Sequence, residues 1–439
     1  MRRMTVLSVF TRDLRVNDNP ALDDAGGGVV PLFVGDPRIE RLHGSPNRQA
    51  FLAESLHDLD RSIDEMGGRL LHRRGPWVDT VLLTAAEAGA SEIRVALDVS
   101  ATAQTRIREL RAGTDIPVVL LDSITVASPT SAAPSGVDYS QVFTPYFRRW
   151  VDAPRRSLAT TRARLADHAL VGDPLPEITV AGTSPDRQVG GEAAGRARLD
   201  EWLPRSRAYD ESRNALPGDG TSRLSADLHF GTLSALEVVT RSEGIGADAF
   251  VRQVAWRDFN HQLLFHRPEV AKHDFRDSNP RWTDDADGLG AWRTGTTGFP
   301  VVDAAMRQLL HTGWMHNRAR MIAASFLTKD LMIDWRLGAR WFMTWLTDGD
   351  VANNQLGWQW VAGTGTDANP TRIFNPTIQS KRFDPDGTYI RRWIPELSEI
   401  EGPDIHDPPP LTRAAMGYPL PIVDHREAIR DFKAARGYR

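Results

Sequence analysis

The sequence predicts two domains of different class: a doubly wound, Rossmann-like α/β domain and, after it, an all-helical one. Three observations carry this. Short apolar runs alternate with amphipathic stretches up to about residue 125, strand-like runs vanish after residue 195, and eleven of the 13 Trp follow residue 200. A chain of 439 residues has room for two or three domains of roughly 100–200 residues each.

Thr5–Phe10, Val29–Val34, Arg69–His72, Glu92–Leu97 and Pro117–Leu121 read as short buried strands. Between the second and third, Phe51, Leu52, Leu56, Leu59, Ile63 and Met66 recur at helical spacing and predict one apolar helix face. Residues 77–90 and 102–112 supply further helices. Strand–helix alternation implies a mostly parallel sheet covered on both faces, placed in residues 1–127. The first strand runs into Thr11-Arg-Asp-Leu-Arg-Val-Asn-Asp18, not into Gly-x-Gly-x-x-Gly. The close backbone approach to a pyrophosphate that those glycines allow is therefore missing, and a dinucleotide is expected elsewhere. Residues 128–200 open on Ser128-Pro-Thr-Ser-Ala-Ala-Pro-Ser-Gly136 and read as a connector, with a short helix over 138–151. From 201 to 439 helical periodicity dominates, as in Asp303–Leu310 and Arg318–Leu331.

Composition narrows the function. No apolar run approaches a membrane span, and no signal-like segment follows Met1, so a cytoplasmic location is expected. Without cysteine, disulfide scaffolds, Cys-ligated metals and thiol catalysis are excluded. The formal charge is −4, so contact with nucleic acid needs a local basic patch. Only four of 53 basic residues are Lys. A GC-rich genome explains that excess of Arg, and so does a need for bidentate phosphate binding.

Four segments carry candidate chemistry. Tyr209-Asp-Glu-Ser-Arg213 precedes Gly220-Thr-Ser-Arg-Leu-Ser225, where Thr221, Ser222 and Ser225 offer hydroxyls and Arg223 a charge to a phosphate at a helix start. The same residues also serve as plain helix caps. Gln253-Val-Ala-Trp-Arg-Asp-Phe259 places an indole face at Trp256 and a phosphate contact at Arg257 within one turn, or a buried Trp beside a structural ion pair. In Gly313-Trp-Met-His-Asn-Arg-Ala-Arg-Met321, the spacing puts Asn317, Arg320 and Met321 on one helix face. Asp348-Gly-Asp350, Asn353-Asn354 and Trp358-Gln-Trp360 form an acidic, amide and indole cluster. No carboxylate follows at calcium-loop spacing, which excludes a metal loop and favours carboxylates gripping ribose hydroxyls.

In this order and spacing the motifs resemble the DNA photolyase/cryptochrome family, from Thr11–Leu22 to about Pro395 and most densely over 209–395. The resemblance implies FAD in the helical domain, held by Tyr209, Thr221, Ser222, Arg223, Leu224, Ser225, Arg257, Arg320, Asp348, Asp350 and Asn354. It implies UV-damaged DNA as partner and a monomeric protein with no membrane attachment. Reduced, light-excited FAD would pass an electron into a flipped-out pyrimidine dimer, which then splits. The spelling is most like a class I cyclobutane pyrimidine dimer photolyase. Asn354 stands where plant cryptochromes carry Asp, and Met315-His-Asn-Arg318 has one His where (6-4) photolyases carry two.

By the same resemblance, Trp256, Asn317, Met321 and Trp360 cup the dimer, and Arg213, Arg318 and Arg372 form a rim for DNA. Trp358, Trp335 and Trp282 form a chain that carries electrons to the flavin. Gln253 departs from the family's usual Glu: it keeps an amide donor and acceptor but loses a charge and a transferable proton. An antenna pigment is optional in such proteins. The stretch Ala96–Gln104 lacks the Asn-Glu pair of folate antennae, while Phe33, Asp36 and Arg48 suit a deazaflavin or mark a vestigial pocket. The alternatives are a cryptochrome-type light sensor and (6-4) repair.

Overall fold

The computed structural model describes residues 5–23, 27–160, 164–218, 220–276, 281–367 and 369–437. Strands β1 (Thr5–Phe10), β2 (Gly28–Gly35), β3 (Leu71–Arg74), β4 (Glu92–Ala96) and β5 (Val118–Leu121) form one parallel sheet in the order β3-β2-β1-β4-β5. The register runs Thr5↔Gly28, Val6↔Glu92, Leu32↔Leu71 and Ile93↔Val118. β3 begins two residues later than its apolar text suggests. Helices α1 (Pro37–His43), α2 (Pro46–Glu65), α3 (Trp77–Ala88) and α4 (Ala101–Ala112) intervene. The period-two alternation of β1 decides which helix covers which face. Val6 and Phe10 pack with Phe51, Leu56, Leu59 and Ile63 of α2, while Leu7 and Val9 pack with Trp77, Val81 and Ala85 of α3.

The strand order reverses beside β1, where doubly wound sheets usually bind their ligands. Here the segment after β1 fills that place with its own side chains. Arg15, 1% exposed, donates to the carbonyls of Asp18, Ser123 and Gly231, and Asp13 accepts from the Thr11 amide. This agrees with the missing glycine fingerprint.

The chain divides into two compact units. Unit 1 comprises residues 1–182, 189–210 and 222–268; unit 2 comprises 183–188, 211–221 and 269–439. Unit 1 thus combines the sheet with α5 (Phe143–Asp152), α6 (Glu192–Trp202) and α7 (Asp248–His266). The expected helix over 138–151 starts later, at Phe143, and lies on α7. Phe143 stacks on Trp256 at 3.7 Å, and Trp150 Nε1 donates to Asp258 at 3.0 Å.

Unit 2 is built on helices, among them α8 (Pro300–Thr312), α9 (Asn317–Ser325), α10 (Trp335–Trp345), α11 (Val351–Ala362) and α12 (His425–Ala435). Its core holds Trp292, Trp335, Phe342 and Trp358. The single helix expected over 318–331 is two pieces: α9 gives way to a π-helical turn at Phe326–Asp330. Its end is drawn to distant partners, Lys329 to the Arg372 carbonyl and Asp330 to His425. No helix among the described residues is long and apolar enough to cross a membrane.

Candidate functional site

The candidate residues fall into both units. In unit 2, α11 starts at Asp350 because that carboxylate caps it, accepting from the Asn353 amide at 2.9 Å and the Asn353 side chain at 2.8 Å. Asn354 donates its side-chain amide to Ala339 of α10 at 3.1 Å and to Gln355 at 2.8 Å. Asp348, 7% exposed, takes one charge-assisted bond from Arg320 to Oδ2 at 2.8 Å. Its Oδ1 is buried with no partner among the described residues. Arg320 is fixed in turn by the Met315 carbonyl. The two acids therefore do different work. Asp350 is engaged in its helix cap, and Asp348 holds a vacant buried acceptor.

Trp358 lies one turn after Asn354, buried edge-on against Phe342 at 4.9 Å and Trp292 at 5.9 Å. Gly338 makes that position possible, since a Cβ there would come within 2.2 Å of the indole. Trp358 Nε1 is buried and unpartnered among the described residues, whereas Trp335, fully buried, donates Nε1 to Asp274 at 2.9 Å. Trp282 is only partly buried and lies under the Arg436 guanidinium at 4.8 Å.

The expected face of α9 forms in part. Asn317 and Met321 touch, with Nδ2 3.8 Å from Sδ, but Arg320 turns to Asp348. Arg318 donates to Asn214 at 2.7 Å and covers the Phe383 ring at 4.4 Å. Burial first, then the charges of Arg382, Arg213 and Arg372, push its pKa below the ordinary arginine value. These neighbours are like charges, and one of them, Arg372, also lies 3.8 Å from the buried Asp367 carboxylate. Arg213, Arg318 and Arg372 are thus brought together, and Arg382 joins them unannounced by any spacing in the sequence. Arg372 also lies over Trp360 at 4.9 Å. Thr221, partly exposed, belongs to this unit as well.

In unit 1, Tyr209 packs edge-on against Trp202 and Phe250. The turn into the six-residue helix Ser225–Phe230 is made locally: Ser222 Oγ accepts from the Leu224 amide at 3.3 Å, Arg223 has φ +52°, and Leu224 is buried. The Ser222 hydroxyl is thus used in its own turn. On α7, Gln253 and Trp256 are partly exposed, and Phe143 already covers one face of Trp256. Arg257 differs from the phosphate contact its spacing suggests. It is buried and donates to the carbonyls of Ile124 at 2.9 Å and Leu228 at 3.0 Å, while Asp258 accepts from Val126. The pair fastens the chain near residue 125 to α7.

The antenna candidates are occupied by the protein itself. Phe33 stacks on His72 at 6.1 Å, Asp36 caps α1 through the Arg38 amide and pairs with Arg106, and Arg48 is buried in α2. Sequence reasoning missed Arg382, Asp274 and Trp292. Their roles arise from contacts between distant elements, and no local pattern marks them.

Residues 6–165 match the family described as DNA photolyase, and residues 250–437 match the FAD binding domain of DNA photolyase. The chain is 49% identical to a deoxyribodipyrimidine photo-lyase of Streptomyces griseus over 98% of both chains. It is 35% identical to that of Escherichia coli, over 98% of this chain and 99% of the other. Among solved structures, a class III photolyase from Agrobacterium tumefaciens superposes with a TM-score of 0.88 at 31% identity, covering 100% of this chain and 98% of that one. A Synechocystis cryptochrome superposes with a TM-score of 0.88 at 30% identity, covering 99% of this chain and 100% of that one. With its fold, its buried carboxylate and its guanidinium cluster all falling within these matches, the chain belongs to the DNA photolyase family and carries that family's FAD-binding domain.

Proposed function

We propose that this chain splits cyclobutane pyrimidine dimers in DNA with blue light and FAD, as a class I enzyme. The observation that carries this reading is Asp348. A buried carboxylate oxygen with no partner fits a ligand bearing a hydroxyl or N–H donor, and a flavin dinucleotide has several. Bound and reduced, FAD supplies a light-driven electron for the dimer, which returns it on splitting. The residues that would hold it are Asp348, braced by Arg320, with Asp350, Asn354, Tyr209, Thr221, Ser222, Arg223, Leu224, Ser225 and Arg257. Of these, Asp350 and Arg257 act by fixing the backbone around the site.

The remaining residues handle DNA. Arg213, Arg318, Arg372 and Arg382 offer clustered guanidinia to phosphates, the arrangement that positions a duplex without reading its sequence. Trp360 and the free face of Trp256 offer stacking surfaces for an extruded dimer, which is cheaper to flip than an intact base pair. Asn317 and Met321, in contact on α9, add one polar and one polarisable neighbour. Gln253 offers its amide to a base edge. Trp358, Trp335 and Trp282 supply electrons to the flavin. The cyclobutane-dimer reading is supported by Met315-His-Asn-Arg318 and by the likeness to the two deoxyribodipyrimidine photo-lyases.

We further infer a functional division into an antenna domain (1–127), a connector (128–200) and a flavin domain (201–439), in a cytoplasmic monomer. A similar archaeal photolyase from Sulfolobus tokodaii is described with two FAD molecules and a light-harvesting role for one. For this chain the proposal keeps a second chromophore optional: deazaflavin, folate or none. The test is repair by the flavin-loaded protein of DNA carrying cyclobutane dimers or (6-4) products. Light-dependent loss of the first alone is expected. Loss of (6-4) products alone overturns the substrate, and loss of neither transfers the reading to a light sensor.

A further inference from the structure

α7 leaves one stripe partly exposed: Ala249, Arg252, Gln253, Trp256 and Asn260, at the i, i+3, i+4 spacing of a single helix face. Phe250, Val251, Val254, Ala255 and Phe259 are buried between them. Two members of the stripe, Gln253 and Trp256, are the lesion residues discussed above. Their neighbour Arg252 is half-buried and lies over aromatic rings. Its guanidinium lies 4.9 Å from the centroid of Phe143 and 4.7 Å from that of Phe147, both on α5. Phe143 in turn stacks on Trp256 at 3.7 Å with the planes 9° apart. The guanidinium thus lies over two phenyl rings, one of which stacks on the indole.

An arginine stacked on aromatic rings has its plane fixed and its N–H edges pointing away from the rings, the geometry that suits a bidentate acceptor. No acidic side chain among the described residues pairs with Arg252, although its unit is rich in ion pairs such as Arg155–Glu243 and Arg198–Asp227. Residue 253 bears on this. A carboxylate at 253 would put a negative charge next to Arg252 on the same face, and the neutral amide of Gln253 leaves the guanidinium charge intact.

We propose that Arg252, stacked on Phe143 and Phe147 beside Gln253, binds a backbone phosphate of the strand that carries the lesion. It is a positioning residue: it holds the strand while Gln253 meets the base edge and Trp256 the ring face. The neutral residue at 253 and the cation at 252 work as a pair. This inference rests on the DNA-repair reading above.

The test is equilibrium binding of the flavin-loaded protein to dimer-containing and undamaged DNA at several salt concentrations. Arg252→Gln should weaken both complexes by about tenfold and reduce the slope of log K against log salt by about 0.7–0.9, one phosphate's worth. Arg252→Lys keeps the charge but not the fork, so the slope should stay while affinity falls only in part. A residue that merely packs would make Lys and Gln behave alike. Gln253→Glu should weaken binding in the Arg252 protein and have little effect on affinity in the Arg252→Gln protein. An unchanged slope in Arg252→Gln overturns the proposal while leaving the repair reading intact. Salt-independent binding by the wild type overturns both.

Discussion

Two regions of this molecule carry candidate ligand residues, and they differ in what their polar atoms are doing. Around β2 and β3, Asp36 caps α1 and pairs with Arg106, and Phe33 rests on His72. Those groups are completed by the protein. In unit 2, Asp348 gives one oxygen to Arg320 and buries the other unpaired, and Trp358 Nε1 is also buried without a partner among the described residues. An unsatisfied buried polar atom costs about 1–3 kcal/mol. Ordered water or a bound ligand can complete such atoms. The contrast separates a set shaped for a ligand from a set that family likeness alone nominates.

The comparison breaks most readily at Asp348. Asp348→Ala removes the vacant acceptor and also strands the Arg320 guanidinium, and a charged hydrogen bond is worth roughly 1.5–3 kcal/mol. Flavin retained through purification should fall by about tenfold or more, read as the ratio of flavin to protein absorbance. Far-UV circular dichroism should keep its helical signature. Full flavin content in the variant would place the ligand set elsewhere.

Trp358→Phe comes next. If the indole supplies the flavin as proposed, photoreduction of oxidised FAD should be abolished while chemically reduced protein still repairs. Trp292→Phe sharpens the point. Trp292 is as buried as Trp335 and touches Trp358 edge-on, yet it donates Nε1 to the Ala323 carbonyl as a packed core residue does. Its loss should leave photoreduction in place. Transient absorption of the Trp radical separates the two variants.

Third is the guanidinium cluster. Arg318→Gln should weaken damaged DNA about tenfold and lower the salt slope by roughly 0.9 on duplex. Because Arg382, Arg213 and Arg372 repel it, removing Arg318 should also raise thermal stability or leave it level. A variant both less stable and unchanged in salt slope would make Arg318 structural.

How much of this was legible in the sequence depends on how local the cause is. β1 and β4 start where their apolar runs do, and all six residues of the predicted α2 face lie in or against one core cluster. Those patterns are set by neighbours in sequence. The break of the 318–331 helix was not legible, because Lys329 and Asp330 answer to partners beyond residue 370. Nor was the use of Arg257, whose carbonyl partners lie near residues 124 and 228. Arg213, Arg318 and Arg372 are far apart in sequence and were nominated by family resemblance, not by spacing. Their convergence, with Arg382 added, is a tertiary fact.

The smallest expected effect lies on the other side of the comparison, at Asp36. Its side chain accepts from the Arg38 amide at 2.9 Å and pairs with Arg106. Losing such a cap costs about 1 kcal/mol. Burial, the largest single influence, pushes the Asp36 pKa up, but the Arg38 amide and Arg106 outweigh it and hold the pKa below its ordinary value of 3.8. A carboxyl whose folded pKa is depressed contributes stability that is present above its unfolded pKa and lost as pH falls through the folded one. Asp36→Ala should therefore lower unfolding stability by about 1 kcal/mol at neutral pH, and the gap to wild type should close below about pH 4. Chemical denaturation at pH 7 and at pH 3 reads both. Flavin content and repair should not change. If the variant instead loses a second visible chromophore while its stability holds, Asp36 serves a pigment first and a helix second, and the two regions are alike after all.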